Sequence, residues 1–63
     1  MFAEKIRELR QSRHLSEAAL DEIFGLMRGT VSNWEHGFSV PDEELIDDIA
    51  DYFKVKRSEL VGA

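Results

Sequence analysis

Arg28 and Asn33 carry side chains that can read a base pair. A guanidinium can donate two parallel hydrogen bonds to guanine O6 and N7, and a carboxamide can pair with adenine N6 and N7. The alternative for both is ordinary solvent exposure. Their setting favours the sharper reading. They lie in the segment 15–38, LSEAALDEIFGLMRGTVSNWEHGF. A short helical pattern from Ser16 to Phe24 runs into a turn centred on Gly25. A second short pattern ends in Trp34-Glu35-His36-Gly37. Two short helices joined by a tight turn can lay one helix in the DNA major groove while the other crosses the backbone.

Other chemistries find less support. The chain has no cysteine, and its two histidines, His14 and His36, lack metal-ligand spacing. Glu35 as a catalytic acid has no matching base or nucleophile nearby in sequence. The acids Asp42, Glu43, Glu44, Asp47, Asp48 and Asp51 lack the glycine-bearing oxygen-ligand loop of a calcium site. They read as a solvated helix face, with docking of a basic protein partner as the alternative. No enzyme activity, cofactor or metal is expected.

Sixty-three residues make one domain, 1–63. A chain this short buries only roughly 60% of its unfolded surface, so modest stability is expected. The lack of cysteine fits a reducing cytoplasm. No apolar run approaches the roughly 20 residues of a membrane helix, and the first residues, MFAEKIRELR, lack the apolar core of a signal peptide. A soluble cytoplasmic protein with no membrane contact follows as the expectation. The net charge is −5, which opposes binding to phosphate. The charge is unevenly spread, however. Residues 1–36 hold five Lys/Arg against six Asp/Glu, and residues 37–63 hold three against seven.

The elements that must position Arg28 and Asn33 can be read from periodicity and caps. Phe2, Ile6, Leu9 and Arg13 recur at helical spacing, which predicts a first helix from Phe2 to Arg13, with Glu4, Lys5, Arg7 and Glu8 on its outer side. Ser16 is a good N-cap for the second helix, and Glu17 suits the positive end of its dipole. Ala19, Leu20, Ile23 and Phe24 make the expected buried stripe, and Gly25 can end the helix in a left-handed conformation. The third helix has a weak start. Met27 cannot cap, Gly29 costs up to roughly 1 kcal/mol inside a helix, and Thr30 offers a later cap. A frayed or shifted N-terminus is expected. Val31 and Trp34 form its buried face, and Gly37 ends it. Pro41 and Asp42 start the fourth helix, whose stripe is Leu45, Ile46, Ile49, Ala50 and Phe53. A short last helix from Lys56 to Val61 buries Leu60.

The chain resembles the small repressor-type helix-turn-helix family of phage and bacterial regulators, the Cro/CI type. That family's segment commonly looks like LSQxxLAxxxGVSxxxISxWExG. Leu15, Ser16, Leu20, Gly25, Ser32, Trp34, Glu35 and Gly37 match it, with Leu26 and Val31 as aliphatic equivalents. The run from Pro41 through Leu45, Ile49, Ala50, Phe53 and Val55 to Leu60 extends the likeness over nearly the whole chain. The resemblance implies an all-α, lambda-repressor-like bundle of five short helices with the helix-turn-helix as helices two and three. It implies that Arg28, Gly29 and Asn33 sit at base-reading positions. Ser16, Glu17, Thr30, Ser32, His36 and Arg13 would lie along the DNA backbone. It also implies an architectural ion pair between Arg10 and Glu35. Trp34 can stack on a base or a partner, but packing is the favoured reading.

Several positions depart from the pattern. Gly29 leaves one reading position without a side chain. Glu17 stands where a phosphate-binding Gln is common, and a carboxylate repels phosphate. Val40 and Pro41 replace basic residues. Met27, Phe38 and Val40 are apolar beside the reading helix. Two functions from different classes follow. The leading one is a sequence-specific, repressor-type transcriptional regulator, acting as a homodimer on double-stranded DNA, with Leu60 and Val61 as dimer candidates. The other is a protein-interaction module, such as an antirepressor or regulatory partner, on the same scaffold.

Overall fold

The computed structural model describes residues 1–62 and is all-helical over them. In chain order the helices are α1 (Phe2–Ser12), α2 (Glu17–Ile23), α3 (Thr30–Glu35), α4 (Glu43–Phe53) and α5 (Arg57–Val61). α1 packs on α3 and α5, α2 packs on α3, and α4 packs on α5. The core joins Phe2 and Ile6 of α1, Leu20 of α2, Val31 and Trp34 of α3, Ile46, Ile49, Ala50 and Phe53 of α4, and Leu60 of α5. Burying apolar area at roughly 25 cal/mol per Å² is what holds such short helices in place, since none would persist alone in water. Among the described residues, no helix is long and apolar enough to cross a membrane.

The predicted starts of α2 and α4 are met at the atomic level. Ser16 Oγ accepts from the Ala19 amide at 3.0 Å, and Asp42 Oδ1 accepts from the Leu45 amide at 2.9 Å. α5 begins one residue later than expected, with the Lys56 amide donating to Glu59 Oε2 at 2.8 Å.

The first four helices all end in the same double hydrogen bond. After α2, the Gly25 amide donates to the Glu22 carbonyl and the Leu26 amide to the Asp21 carbonyl. After α3, Gly37 donates to Trp34 and Phe38 to Asn33. In both, a glycine takes the left-handed conformation that closes this Schellman motif. α1 and α4 close the same way with non-glycine residues, His14 at φ 57° and Lys54 at φ 60°. Side chains there cost free energy that glycine avoids, so nothing in the local sequence marked those two ends.

Three packing expectations need correction. Ile23 does not join the buried stripe of α2 and is 42% exposed. The helix is turned so that Leu20 and Asp21 face inward, with Phe24 edge-on to Tyr52 at 5.4 Å. Arg7 does not stay on the outer side of α1, because it reaches Glu35. Leu60 is fully inside the core, so it has no surface to offer a dimer.

Candidate nucleic-acid interface

α3 is the element to be positioned, and each of its ends is held by a buried carboxylate. At the N-terminus the anchor comes from α2. Asp21 is 4% exposed. Its Oδ2 accepts from the Gly29 amide at 2.9 Å and its Oδ1 from the Val31 amide at 2.8 Å. Gly29 is the N-cap of α3, left-handed at φ 93°, with no side-chain cap of its own. Thr30 begins the helix but does not cap it. Its hydroxyl donates to the Met27 carbonyl at 2.7 Å. The expected shift of the helix start is therefore present, and Asp21 supplies the physical reason.

Asp21 was missed in the sequence, although a signal was there. In the pattern that this chain resembles, Ala stands at the Asp21 position and the capping Ser at the Met27 position. The loss of one cap and the gain of an acid one helix earlier belong together. Helix starts leave unpaired amides, and a carboxylate on them is favoured by hydrogen bonding and by the helix dipole.

At the C-terminus the anchor is Glu35, 5% exposed. Arg10 donates from Nε to Oε2 at 2.7 Å and from Nη2 to Oε1 at 2.9 Å, a two-pronged pair. Arg10 also donates to the Leu15 carbonyl at 2.8 Å, tying the α1–α2 corner to α3. Arg7 adds a bond to Glu35 Oε1 at 3.3 Å and one to the Glu35 carbonyl oxygen at 3.2 Å. Burial works to raise the Glu35 carboxyl, but the Arg10 hydrogen bonds and charge, with Arg7 behind them, outweigh it and hold it below the ordinary carboxylate value. The Arg10 guanidinium is pushed up by its bond to Glu35 against the cost of burial. Glu17 also acts on Arg10 through its charge. Glu17 itself is half-buried.

Trp34 packs. It is buried and meets Phe2 edge-on at 5.7 Å. With Val31 it turns the apolar face of α3 inward, which leaves Asn33 exposed and Ser32 half-exposed. Arg28 is exposed on the turn before the helix, next to the half-buried Gly29 and Thr30. Arg28, Gly29, Thr30, Ser32, Asn33 and His36 are thus brought to one short element and its approach.

Two sequence candidates are engaged elsewhere. The Arg13 guanidinium carbon lies 5.1 Å from the ring centroids of Tyr52 and Phe53, a cation–π contact at the end of α4. His36 Nδ1 is 2.7 Å from the Ser32 carbonyl, which can only accept, so that nitrogen carries the proton. The His36 ring also stacks on Phe38 at 5.8 Å. Among the described residues, Arg28 is the one cationic side chain on α3 or its approach, and it makes no ion pair. Arg57 of α5 pairs with Glu43 and, at 2.9 Å, with Asp47 of α4. Part of the acid face is therefore met from within the chain.

Among known proteins, a helix-turn-helix family model matches residues 6–60. The chain is 34% identical over 62 residues to the antitoxin PezA of Streptococcus pneumoniae serotype 4, covering 98% of this chain and 39% of that protein. It is 33% identical over 61 residues to the HTH-type transcriptional activator BcrR of Enterococcus faecalis, covering 97% of this chain and 30% of that protein. It is 33% identical over 62 residues to the cryptic phage CTXphi transcriptional repressor RstR of Vibrio cholerae, covering 98% and 56%. The chain thus spans between 30% and 56% of the length of these relatives. No solved structure matches it. With the pattern of buried and capped residues above, these matches place the chain in the Cro/CI-type helix-turn-helix family, a family of DNA-binding regulators with the lambda-repressor-like fold.

Proposed function

We propose that residues 1–63 act as one DNA-binding domain of a transcriptional regulator of the repressor type, which lays α3 in the major groove of double-stranded DNA. The observation that carries this reading is the placement of Arg28 and Asn33. Both are exposed, Arg28 on the approach to α3 and Asn33 on α3 itself, whose opposite face is locked into the core by Val31, Trp34 and Glu35. Arg28 reads a guanine and Asn33 an adenine. Gly29 brings its backbone near the groove floor without a side chain. Ser16 and Ser32 supply neutral donors to phosphate, with His36 beside them. The domain works in the cytoplasm.

Among the described residues, Arg28 alone gives the reading element a cation that no acid takes up, so a single domain binds phosphate weakly. A homodimer on a two-fold symmetric site would double the contacts. Its interface must lie on surface residues, since Leu60 belongs to the core. The relatives named as an activator, a repressor and an antitoxin each match this chain over only part of their own length. That supports a common reading domain, with the sense of regulation set elsewhere.

Selection from randomised duplex DNA at low salt tests the reading, followed by anisotropy titration of the enriched duplex. Enrichment of a motif, and a loss of roughly 10-fold or more in affinity for Arg28→Ala with unchanged stability, is the expected result. No enrichment from a domain shown folded by circular dichroism would sink it. A second reading has its own observation. Met27 is 84% and Phe38 78% exposed, apolar side chains flanking α3 that suit a protein partner. A folded domain that ignores DNA would turn the search to that partner.

A further inference from the structure

We infer that Asp21, which lies on α2 and is buried away from any ligand, is the positioning residue of the DNA-reading corner. The inference rests on the proposed base-reading role of Arg28 and Asn33. Three observations carry it. Asp21 is the one polar side chain of α2 that is buried, and both of its oxygens are engaged by backbone amides. Those amides belong to Gly29, which directly follows Arg28, and to Val31, and the two flank the first residue of α3. Nothing else caps α3. The Met27 side chain cannot, and the Thr30 hydroxyl is turned to the Met27 carbonyl.

The consequence is geometric. A glycine samples many backbone conformations, and Gly29 takes the left-handed one at φ 93°. The two bonds to Asp21 are the side-chain ties that α2 places on the corner, beside the backbone bonds from Thr30 to the Met27 carbonyl and from Asn33 to the Gly29 carbonyl. The corner sets where the Arg28 side chain leaves the backbone and how α3 is registered against α2. A base-reading pair needs both groups held to a fraction of an ångström. Phosphate contacts tolerate more slack, because they carry position but no sequence information. Asp21 therefore acts on discrimination between duplexes more than on attraction to DNA.

Amide hydrogen exchange and DNA titration of Asp21→Ala test this together. The expected result is a loss of protection at Gly29 and Val31 greater than the uniform fall that lower global stability gives the core amides. Affinity for the enriched duplex should fall about 10-fold, within the range of one good base contact. Affinity for a mixed-sequence duplex should change less than about twofold. Equal losses on both duplexes, or protection at Gly29 and Val31 that falls no more than that of the core, would overturn it. Should Asp21→Ala be unfolded by circular dichroism, Asp21→Asn keeps the shape and one acceptor. It should free one of the two amides and give an intermediate loss confined to the enriched duplex, and an equal loss on both duplexes overturns the inference there too. If the unmodified chain binds no duplex, the proposed function fails and the DNA arm with it. The exchange arm still decides whether Asp21 holds the corner.

Discussion

The two ends of α3 are both held by buried carboxylates, but by opposite means. At the start, a carboxylate from another helix receives two neutral backbone amides. At the finish, the helix's own Glu35 receives two cationic side chains of α1. Both arrangements agree with the dipole of α3, with an anion at the amide end and cations at the carbonyl end. They differ in what failure leaves behind. Removing Asp21 strands two amides. Removing Glu35 strands a guanidinium, Arg10, that is largely enclosed. Among the described residues no buried side-chain polar atom lacks a partner, so each end is complete only with its acid.

The largest effect should come from the C-terminal end. Glu35→Ala is expected to cost about 3–5 kcal/mol, the range for breaking one side of a buried pair. That rivals the whole stability of a small domain, so urea denaturation should find the variant mostly unfolded. Replacing both partners, Arg10→Met with Glu35→Leu, should recover most of the loss. If the double variant is no better than the single, the clamp is not a simple pair.

Asp21→Ala should cost less, about 2 kcal/mol for a lost cap with its orphaned amides. Its midpoint in urea should fall without a change in slope. A cost equal to that of Glu35→Ala would erase the distinction between the two ends.

Acid should weaken the C-terminal end. The folded Glu35 carboxyl lies below its ordinary value of 4.5. Its contribution is therefore fully present above that pH and is lost as pH falls through the lower folded value. Thermal unfolding followed from pH 7 downward should show a loss of stability that begins near pH 4.5. The Glu35→Gln variant should lack that part of the slope. A slope unchanged in Glu35→Gln would assign the acid loss to other groups.

The smallest test concerns Gly29. Were it inside the helix, alanine would stabilise by up to about 1 kcal/mol. In the left-handed corner held by Asp21, alanine should destabilise by about 1 kcal/mol. Only conformation enters, since a Cβ would meet nothing within 4 Å. The sign of the change in Tm decides between the two backbones.

The sequence was most informative where cause and effect are close in the chain. The caps at Ser16 and Asp42, the helix ends at Gly25 and Gly37, and the apolar stripe of α4 each depend on residues within one or two turns. The resemblance supplied the Arg10–Glu35 pair across 25 positions, because it implies an acid at the end of helix three paired with an arginine of helix one. It did not supply Arg7, which joins the same carboxylate from one turn earlier. The site was less legible than the fold. Arg13, a plausible phosphate contact by type and position, lies over Tyr52 and Phe53 instead. His36 is partly tied by Ser32 and Phe38. Which groups remain available to a partner depends on every neighbour that packing brings near.

By itself, then, the sequence determined that this chain folds into five short helices around one apolar core, with a helix-turn-helix motif in the middle. Periodicity, caps and turn residues act locally and so can be read locally. The tertiary structure alone decided how α3 begins. Asp21 looks like one more acid on an acidic chain until folding sets it beside the Gly29 and Val31 amides. Ile23 looks like core until that same rotation of α2 turns it out to solvent. A helix has one orientation about its axis, and the partner that rewards one orientation over another lies elsewhere in the chain.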